Sequence, residues 1–273
     1  MSNENLFKIV NGVLADCKDG VSKIVLPDEV TAIDDCPGPF IQIYEPFELT
    51  LSPNTKTCAG DLRSEAITVL NVPAGAELEC SDFGPNHGMF FKLLKEINVD
   101  PDNTSCASEN GILYSKDRSV LYSCPASHED NVVIPASVKS IGAHAFDGCK
   151  KLTEIVIPAT VEEIGERAFM DCTALKRIVV QGQNTKIGKD AFLRCTKITM
   201  AVQYDGSDKK KSNVFEFPWT EEIPENAFSG LNKLKTVVLP KTIKRIGKFA
   251  FRGCKSLEKM NLSKKIICDK KAF

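Results

Sequence analysis

Apolar and polar positions recur along this chain on a fixed period. From Ile141 the sequence IGAHAFDGCKKLTEIVIPATVEE is followed at once by IGERAFMDCTALKRIVVQGQNTK, two copies of one 23-residue unit ending at Lys186. Each unit reads Ile-Gly-x-x-Ala-Phe-x-x-Cys-x-x-Leu/Ile-x-x-Ile-Val-Ile/Val. The alternation at the end of the first copy predicts a short β-strand, with Leu152, Ile155 and Ile157 turned inward and Val156 outward. One such unit cannot bury its apolar face alone. Copies must stack, each strand pairing with the next at roughly 4.8 Å per rung. Phe146, Phe169, Phe192, Phe228 and Phe251 then fall in the core, on the far side of each rung. Gly142, Gly165, Gly188 and Gly247 follow the isoleucine of their units, where the backbone is expected to turn through a conformation that disfavours a side chain or a negative φ.

The same period runs through most of the chain. Ala-Phe occurs at 145–146, 168–169, 191–192, 227–228, 250–251 and 272–273, with spacings of 23, 23, 36, 23 and 22. The 36-residue interval holds a polar insertion, QYDGSDKKKSN at 203–213, before Phe215-Glu216-Phe217-Pro218 restores the strand. Upstream the pattern is worn. Strand-like pieces place Ile24, Leu49, Leu70 and Ile97 at spacings of 25, 21 and 27, and Cys36, Cys58 and Cys80 lie 22 apart. NGVLADCKDG predicts a hairpin at the entry, and ILYS and VLYS around Lys116-Asp117-Arg118 predict another. The unit that opens at Ile97 closes on a strand at Val132-Val133-Ile134-Pro135. The expected organisation is one continuous solenoid, with degenerate long-looped repeats over 1–96 and regular repeats over 97–273.

Composition is that of an ordinary globular protein, 42% hydrophobic and 26% charged. The net charge of −1 conceals an asymmetry. Residues 1–136 carry 9 Lys+Arg against 21 Asp+Glu, and residues 231–273 carry 13 against 2. Such a distribution steers a polyanion to one end or aligns two copies head to tail. The cysteine count is 11. Cys149, Cys172, Cys195 and Cys254 share one repeat position and are expected as a core-facing column of thiols. Cys106 and Cys124, flanking the second hairpin, are the best disulfide candidates. No run is long and apolar enough for a transmembrane helix, and the first residues lack a basic start and an apolar stretch, so no signal peptide is read there. By that criterion either the protein is cytoplasmic or a leader was removed before this numbering begins.

The stretch IPASVKSIGAHAFDGCKKLTEIVIPATVEEIGERAF resembles the BspA-like leucine-rich repeat, also called the Treponema pallidum type. The motif Ile-Pro-x-x-Val-x-x-Ile-Gly-x-x-Ala-Phe-x-x-Cys-x-x-Leu is complete at 134–152 and 157–175, and 237–257 matches with Ile243 in the valine position. The resemblance covers 97–273 well and 1–96 weakly. It implies a right-handed leucine-rich repeat solenoid, a horseshoe with one parallel sheet of short strands on the concave side. It also implies a bacterial or protist surface protein that binds host protein or other cells.

The outward strand positions are the first candidate site. Val133, Val156, Val179 and Val202 form an apolar stripe continued by Glu216 and Val238, and Glu154 and Arg177 stand in the neighbouring column. This strip would take a protein or glycoprotein on the concave face. Valine also suits any strand position, so β-propensity alone accounts for the same stripe. The second candidate is the basic C-terminal end with Lys244, Arg245, Lys248, Arg252, Lys255 and Lys259, which would contact an anionic polymer or serve only as a solvated surface. Aromatic interleaving for single strands is missing there, since Phe249 and Phe251 fit the repeat pattern. A third is the open strand edge of a last unit that stops midway, which would mark a truncated chain or permit end-to-end self-association.

Catalysis has little support. His87, His128 and His144 lie near no nucleophile motif, and His144 sits at a variable position expected to be exposed. No phosphate-binding glycine loop or zinc-ligand spacing is present in the sequence, so no cofactor, metal or small-molecule substrate is expected. The expected function is a non-enzymatic protein-binding or adhesion module. The alternative is an intracellular scaffold associating through oppositely charged ends.

Overall fold

The computed structural model describes residues 6–18, 20–33, 39–40, 42–58, 62, 64–79, 91–128, 132–181, 185–198, 200–203, 214–216, 222–239 and 243–273. Every regular element among them longer than two residues is a strand. The chain divides into two compact units, Met1–His128 and Glu129–Phe273.

The first unit opens on the antiparallel hairpin Phe7–Val10 and Val13–Cys17. A parallel ladder follows, built from Lys23–Val25, Phe47–Thr50, Ile67–Val72 and Glu96–Val99. Its register runs Ile24 to Leu49 to Leu70 to Ile97, the four positions that the worn spacing picks out, and all four are fully buried. A proline or serine closes each of the first three strands and accepts a turn hydrogen bond, as in Val30 N–H to Pro27 O at 2.9 Å and Ala76 N–H to Pro73 O at 3.2 Å. The turn delivers the chain to a second, shorter ladder, seen where Lys56–Cys58 pairs in parallel with Glu77–Glu79. The predicted hairpin is present as Ile112–Ser115 and Val120–Ser123, with Cys106–Glu109 added as a third antiparallel strand.

The second unit repeats this plan with greater regularity. Its long ladder is Glu154–Ile157, Arg177–Val180, Met200–Gln203, Val214–Glu216, Thr236–Val238 and Lys259–Met260, all parallel. Ile155 and Ile157 are buried while Glu154 and Val156 face out, as the alternation requires. Two-residue strands form the short ladder, Ser140–Ile141, Glu163–Ile164 and Lys186–Ile187, and again Glu222–Ile223, Arg245–Ile246 and Ile267–Cys268. Val132–Pro135 is not a strand, which corrects the sequence expectation. The long ladder begins one repeat later, at Glu154.

The Ala-Phe segments close each turn. Phe146, Phe169, Phe192, Phe228, Phe251 and Phe273 stack with centroids 4.8–5.9 Å apart and interplanar angles of 8–16°. Here too the backbone pairs from rung to rung. Phe146 N–H donates to Ala168 O at 2.7 Å, Phe169 N–H to Ala191 O at 2.8 Å and Phe228 N–H to Ala250 O at 2.9 Å. To aim these groups along the stack, the residue before Ala-Phe takes a left-handed conformation in every repeat. It is His144, Arg167, Asp190, Asn226, Phe249 or Lys271, with φ of 53–65°.

The glycine that follows the isoleucine therefore has a different task from the one expected. Gly165, Gly188 and Gly247 are not in the left-handed region. A Cβ on Gly165 would stand 2.5 Å from Ala143 N, and one on Gly188 would stand 2.5 Å from Gly165 C. Glycine is needed because one rung lies directly on the next.

Candidate binding surface

The outer face of the long ladder carries side chains that the core does not use. In the second unit, Glu154 pairs in register with Arg177, and the two form an ion pair across the rungs. Beside them Val156 is 39% exposed. The column continues in register through Val179, Val202, Glu216 and Val238. Val179 departs from the expected stripe, for it is only 4% exposed. It occupies an inner rung, with valines in register on both sides. Val133 is 76% exposed, but it lies outside any strand. The side chains of Val202, Glu216 and Val238 lie outside the described residues. The apolar surface that the structure describes on this ladder is therefore Val156 with its charged neighbours, rather than an unbroken valine stripe.

The first unit presents a polar counterpart that the sequence reading missed. Asn71 and Asn98 occupy the same position on neighbouring strands. Asn98 donates its amide N–H to Asn71 Oδ1 at 3.2 Å, and Asn71 donates to Thr50 Oγ1 at 3.2 Å. The signal was present in the sequence as the shared Asn-Val at 71–72 and 98–99. Lys23 and Glu48 pair at 3.9 Å in the adjoining column.

At the basic end Lys244, Arg245, Lys248, Arg252, Lys255 and Lys259 are all exposed. Arg245 differs from the others in being paired twice, with Asp269 at 2.8 Å and Glu222 at 3.4 Å. The hydrogen bonds that it donates to Asp269 hold its guanidinium more firmly protonated than usual. Phe249 is not core. It is half-buried, with Lys248 Nζ 4.9 Å and the Arg252 guanidinium 5.0 Å from its ring centroid.

The remaining candidates serve the framework. His144 is buried rather than exposed, because the left-handed turn folds its ring back onto Asp147 Oδ2, 3.0 Å from Nδ1. Nδ1 of His128 lies 3.2 Å from Lys95 O. His87 lies outside the described residues. Among the described residues no cluster of His, Cys, Asp and Glu could hold a metal ion, and no helix is long and apolar enough to cross a membrane. Cys149, Cys172 and Cys195 are buried in their column, with Cys254 half-buried. Cys106 and Cys124, the best disulfide candidates, are both thiols. The Cys106 sulfur donates to Asn103 Oδ1 and the Cys124 sulfur to Pro125 O, both at 3.9 Å. A depression of about 190 Å³ lies between Val99 and Arg118, below the ~300 Å³ usual for small-molecule sites. Its cations are already engaged, Lys116 on Pro101 O at 2.9 Å and Arg118 on Glu109 at 2.8 Å.

A family model for the BspA type leucine rich repeat region matches residues 118–220 and 214–273, in six copies. Solved structures share the fold. A leucine rich cell surface protein from Faecalibacterium prausnitzii is 25% identical with a TM-score of 0.69, and the match covers 89% of this chain and 60% of that one. A leucine-rich repeat protein from Eubacterium ventriosum is 20% identical with a TM-score of 0.64, covering 88% and 66%. The pneumococcal vaccine antigen PcpA is 20% identical with a TM-score of 0.60, covering 93% and 60%. The chain thus spans less than two thirds of the length of these three structures. No curated protein matches it.

Proposed function

We propose that this chain, which belongs to the BspA-type leucine-rich repeat family, is a non-enzymatic protein-binding or adhesion module that reads its partner with the outer face of the long ladder. The observation that carries the reading is the in-register column beginning at Glu154, Val156 and Arg177. Ladder hydrogen bonds and the buried Ile155 and Ile157 fix the backbone, so the outward side chains are held in place before any partner arrives. A preformed surface loses little entropy on binding. One exposed apolar side chain with two charged neighbours is the pattern of an interface centre with a polar rim. The likeness to a bacterial cell surface protein supports display to other cells.

The test is binding of fluorescently labelled chain to cultured epithelial cells, intact or shaved with trypsin. Saturable, trypsin-sensitive binding that Val156→Glu abolishes supports the reading. Binding that survives Val156→Glu and Arg177→Glu together contradicts it.

A second reading rests on charge. Residues 1–128 carry 9 Lys+Arg and 19 Asp+Glu, while residues 129–273 carry 26 and 17. Oppositely charged units favour head-to-tail scaffolding between copies. Under that reading, sedimentation velocity shows a concentration-dependent rise in mass that salt removes.

A further inference from the structure

The Ala-Phe edge of the second unit changes character along the stack. In its earlier rungs three basic side chains meet a carboxylate, while Lys189, at the place of Lys248, is exposed and in no ion pair among the described residues. His144 meets Asp147, Arg167 meets Asp190 at 3.3 Å, and Arg194 Nε donates to Asp171 at 2.6 Å. In the last two rungs Phe249 and Lys271 take the place of His144, Arg167 and Asp190, and Arg252 that of Asp147, with Lys248 and Lys270 beside them. Lys248, Arg252, Lys270 and Lys271 are exposed, and no ion pair involves them among the described residues. Of the two carboxylates in these rungs, Asp269 is committed to Arg245 and Glu258 lies away from this edge, just before the strand Lys259–Met260. Phe249 N–H donates to Lys271 O at 2.8 Å, which sets Lys248 and Lys270 at equivalent places on adjacent rungs.

Like charges in register on neighbouring rungs repel. An anion lying along the edge would remove that repulsion and meet all four cations at once. The Phe249 ring adds preorganisation. It collects Lys248 and Arg252 within 5.0 Å of its centroid. A ring engaged in this way holds the cations in position and is not offered to a stacking base.

We propose that this edge binds a linear, non-aromatic polyanion bearing repeated sulfate or phosphate groups. Lys248, Arg252, Lys270 and Lys271 supply the charge and Phe249 acts as the platform. The surface is distinct from the outer face of the long ladder, and the proposal does not depend on the protein-binding reading.

The experiment is isothermal titration of the full chain with a heparin dodecasaccharide, with inorganic polyphosphate, with unsulfated hyaluronan oligosaccharide and with a single-stranded oligothymidylate. The expected result is binding to heparin or polyphosphate, whichever anionic group is preferred, and none to hyaluronan. Lys248→Ala with Arg252→Ala should weaken it roughly tenfold and lower the salt slope by about 2, one for each lost cation. Phe249→Ala should weaken it less, by about threefold, through loss of the platform. All these side chains are exposed or half-buried, so circular dichroism should show native folding, and Lys264→Ala with Lys265→Ala should change binding less. Three binding results overturn the proposal. They are no binding to either polyanion, equal binding by the double variant, and tighter binding to oligothymidylate. Self-association of the native chain that the double variant abolishes would also overturn it, in favour of a second copy as the occupant.

Discussion

The thiol of Cys172 donates to the main-chain carbonyl of Phe146, 3.0 Å away and one rung back. Cys195 does the same to Phe169 at 2.9 Å, and Cys254 to Phe228 at 3.3 Å. The recurring spacing of phenylalanine and cysteine within these units thus becomes a contact between units. The sulfur fills space as a small hydrophobe and satisfies a carbonyl at the left-handed turn. Cys195→Ala should cost about 1–2 kcal/mol in urea unfolding, from a small cavity and a weak hydrogen bond.

The same burial controls thiol chemistry. Desolvation pushes the Cys17 and Cys254 thiols up to about 12. At pH 7 both should resist iodoacetamide until the chain unfolds, whereas Cys268, which is exposed, should be modified first. Because the folded-state values are raised, the stability they contribute is complete below about pH 9, the ordinary thiol value, and falls as pH rises toward 12. A melting temperature that declines above pH 9 in the native chain, and less so in Cys17→Ala with Cys254→Ala, checks this.

Gly188→Ala should destabilise by about 3 kcal/mol, although alanine can adopt the local φ. Its Cβ would meet Gly165 C at 2.5 Å and Glu166 N at 2.6 Å, both backbone atoms that cannot step aside. Chemical denaturation of this variant beside Asn226→Gly separates crowding from conformation. Asn226 has φ 55°, and glycine there should be neutral or slightly stabilising.

The register of the first unit was legible in a spacing of apolar residues alone, since Ile24, Leu49, Leu70 and Ile97 meet rung by rung. The phenylalanine stack and the thiol column were equally plain, because core positions keep their residue type. The left-handed turns were not legible before Ala-Phe, where His, Arg, Asp, Asn, Phe and Lys all occur. There the conformation is imposed by hydrogen bonds between rungs and not by residue preference. A partial signal lay two residues after the phenylalanine, where Gly148, Gly230 and Gly253 share positive φ with Asp171 and Arg194. The short ladder escaped notice because a two-residue strand is too short to show alternation. The burial of Val179 escaped notice because alternation gives only the direction of a side chain, not what lies over it.

The hairpin of the first unit should respond to acid. Asp117 accepts hydrogen bonds from Ser115 Oγ at 2.6 Å and from Ser119 N and Oγ at 3.0 and 2.8 Å. The bond from Ser115 is the largest influence, and together they hold the Asp117 carboxyl down at about 2. A depressed carboxyl stabilises the fold above its unfolded value near 4 and loses that contribution as pH falls toward 2. NMR titration should place Asp117 below the other aspartates, and Asp117→Asn should flatten the pH dependence of amide protection across 112–123.

The most direct measurement of the central claim pairs Val156→Glu with Val179→Glu, which are equivalent positions on adjacent rungs. Each variant is assayed for thermal stability and for trypsin-sensitive binding to epithelial cells. Val156, at 39% exposure, should accept glutamate with little loss of stability and should lose binding. Val179, at 4%, should lose on the order of 4 kcal/mol, because the substitution buries an unpaired charge. A folded Val156→Glu chain that binds cells as well as the native protein would contradict the assignment of the outer ladder face as the binding surface.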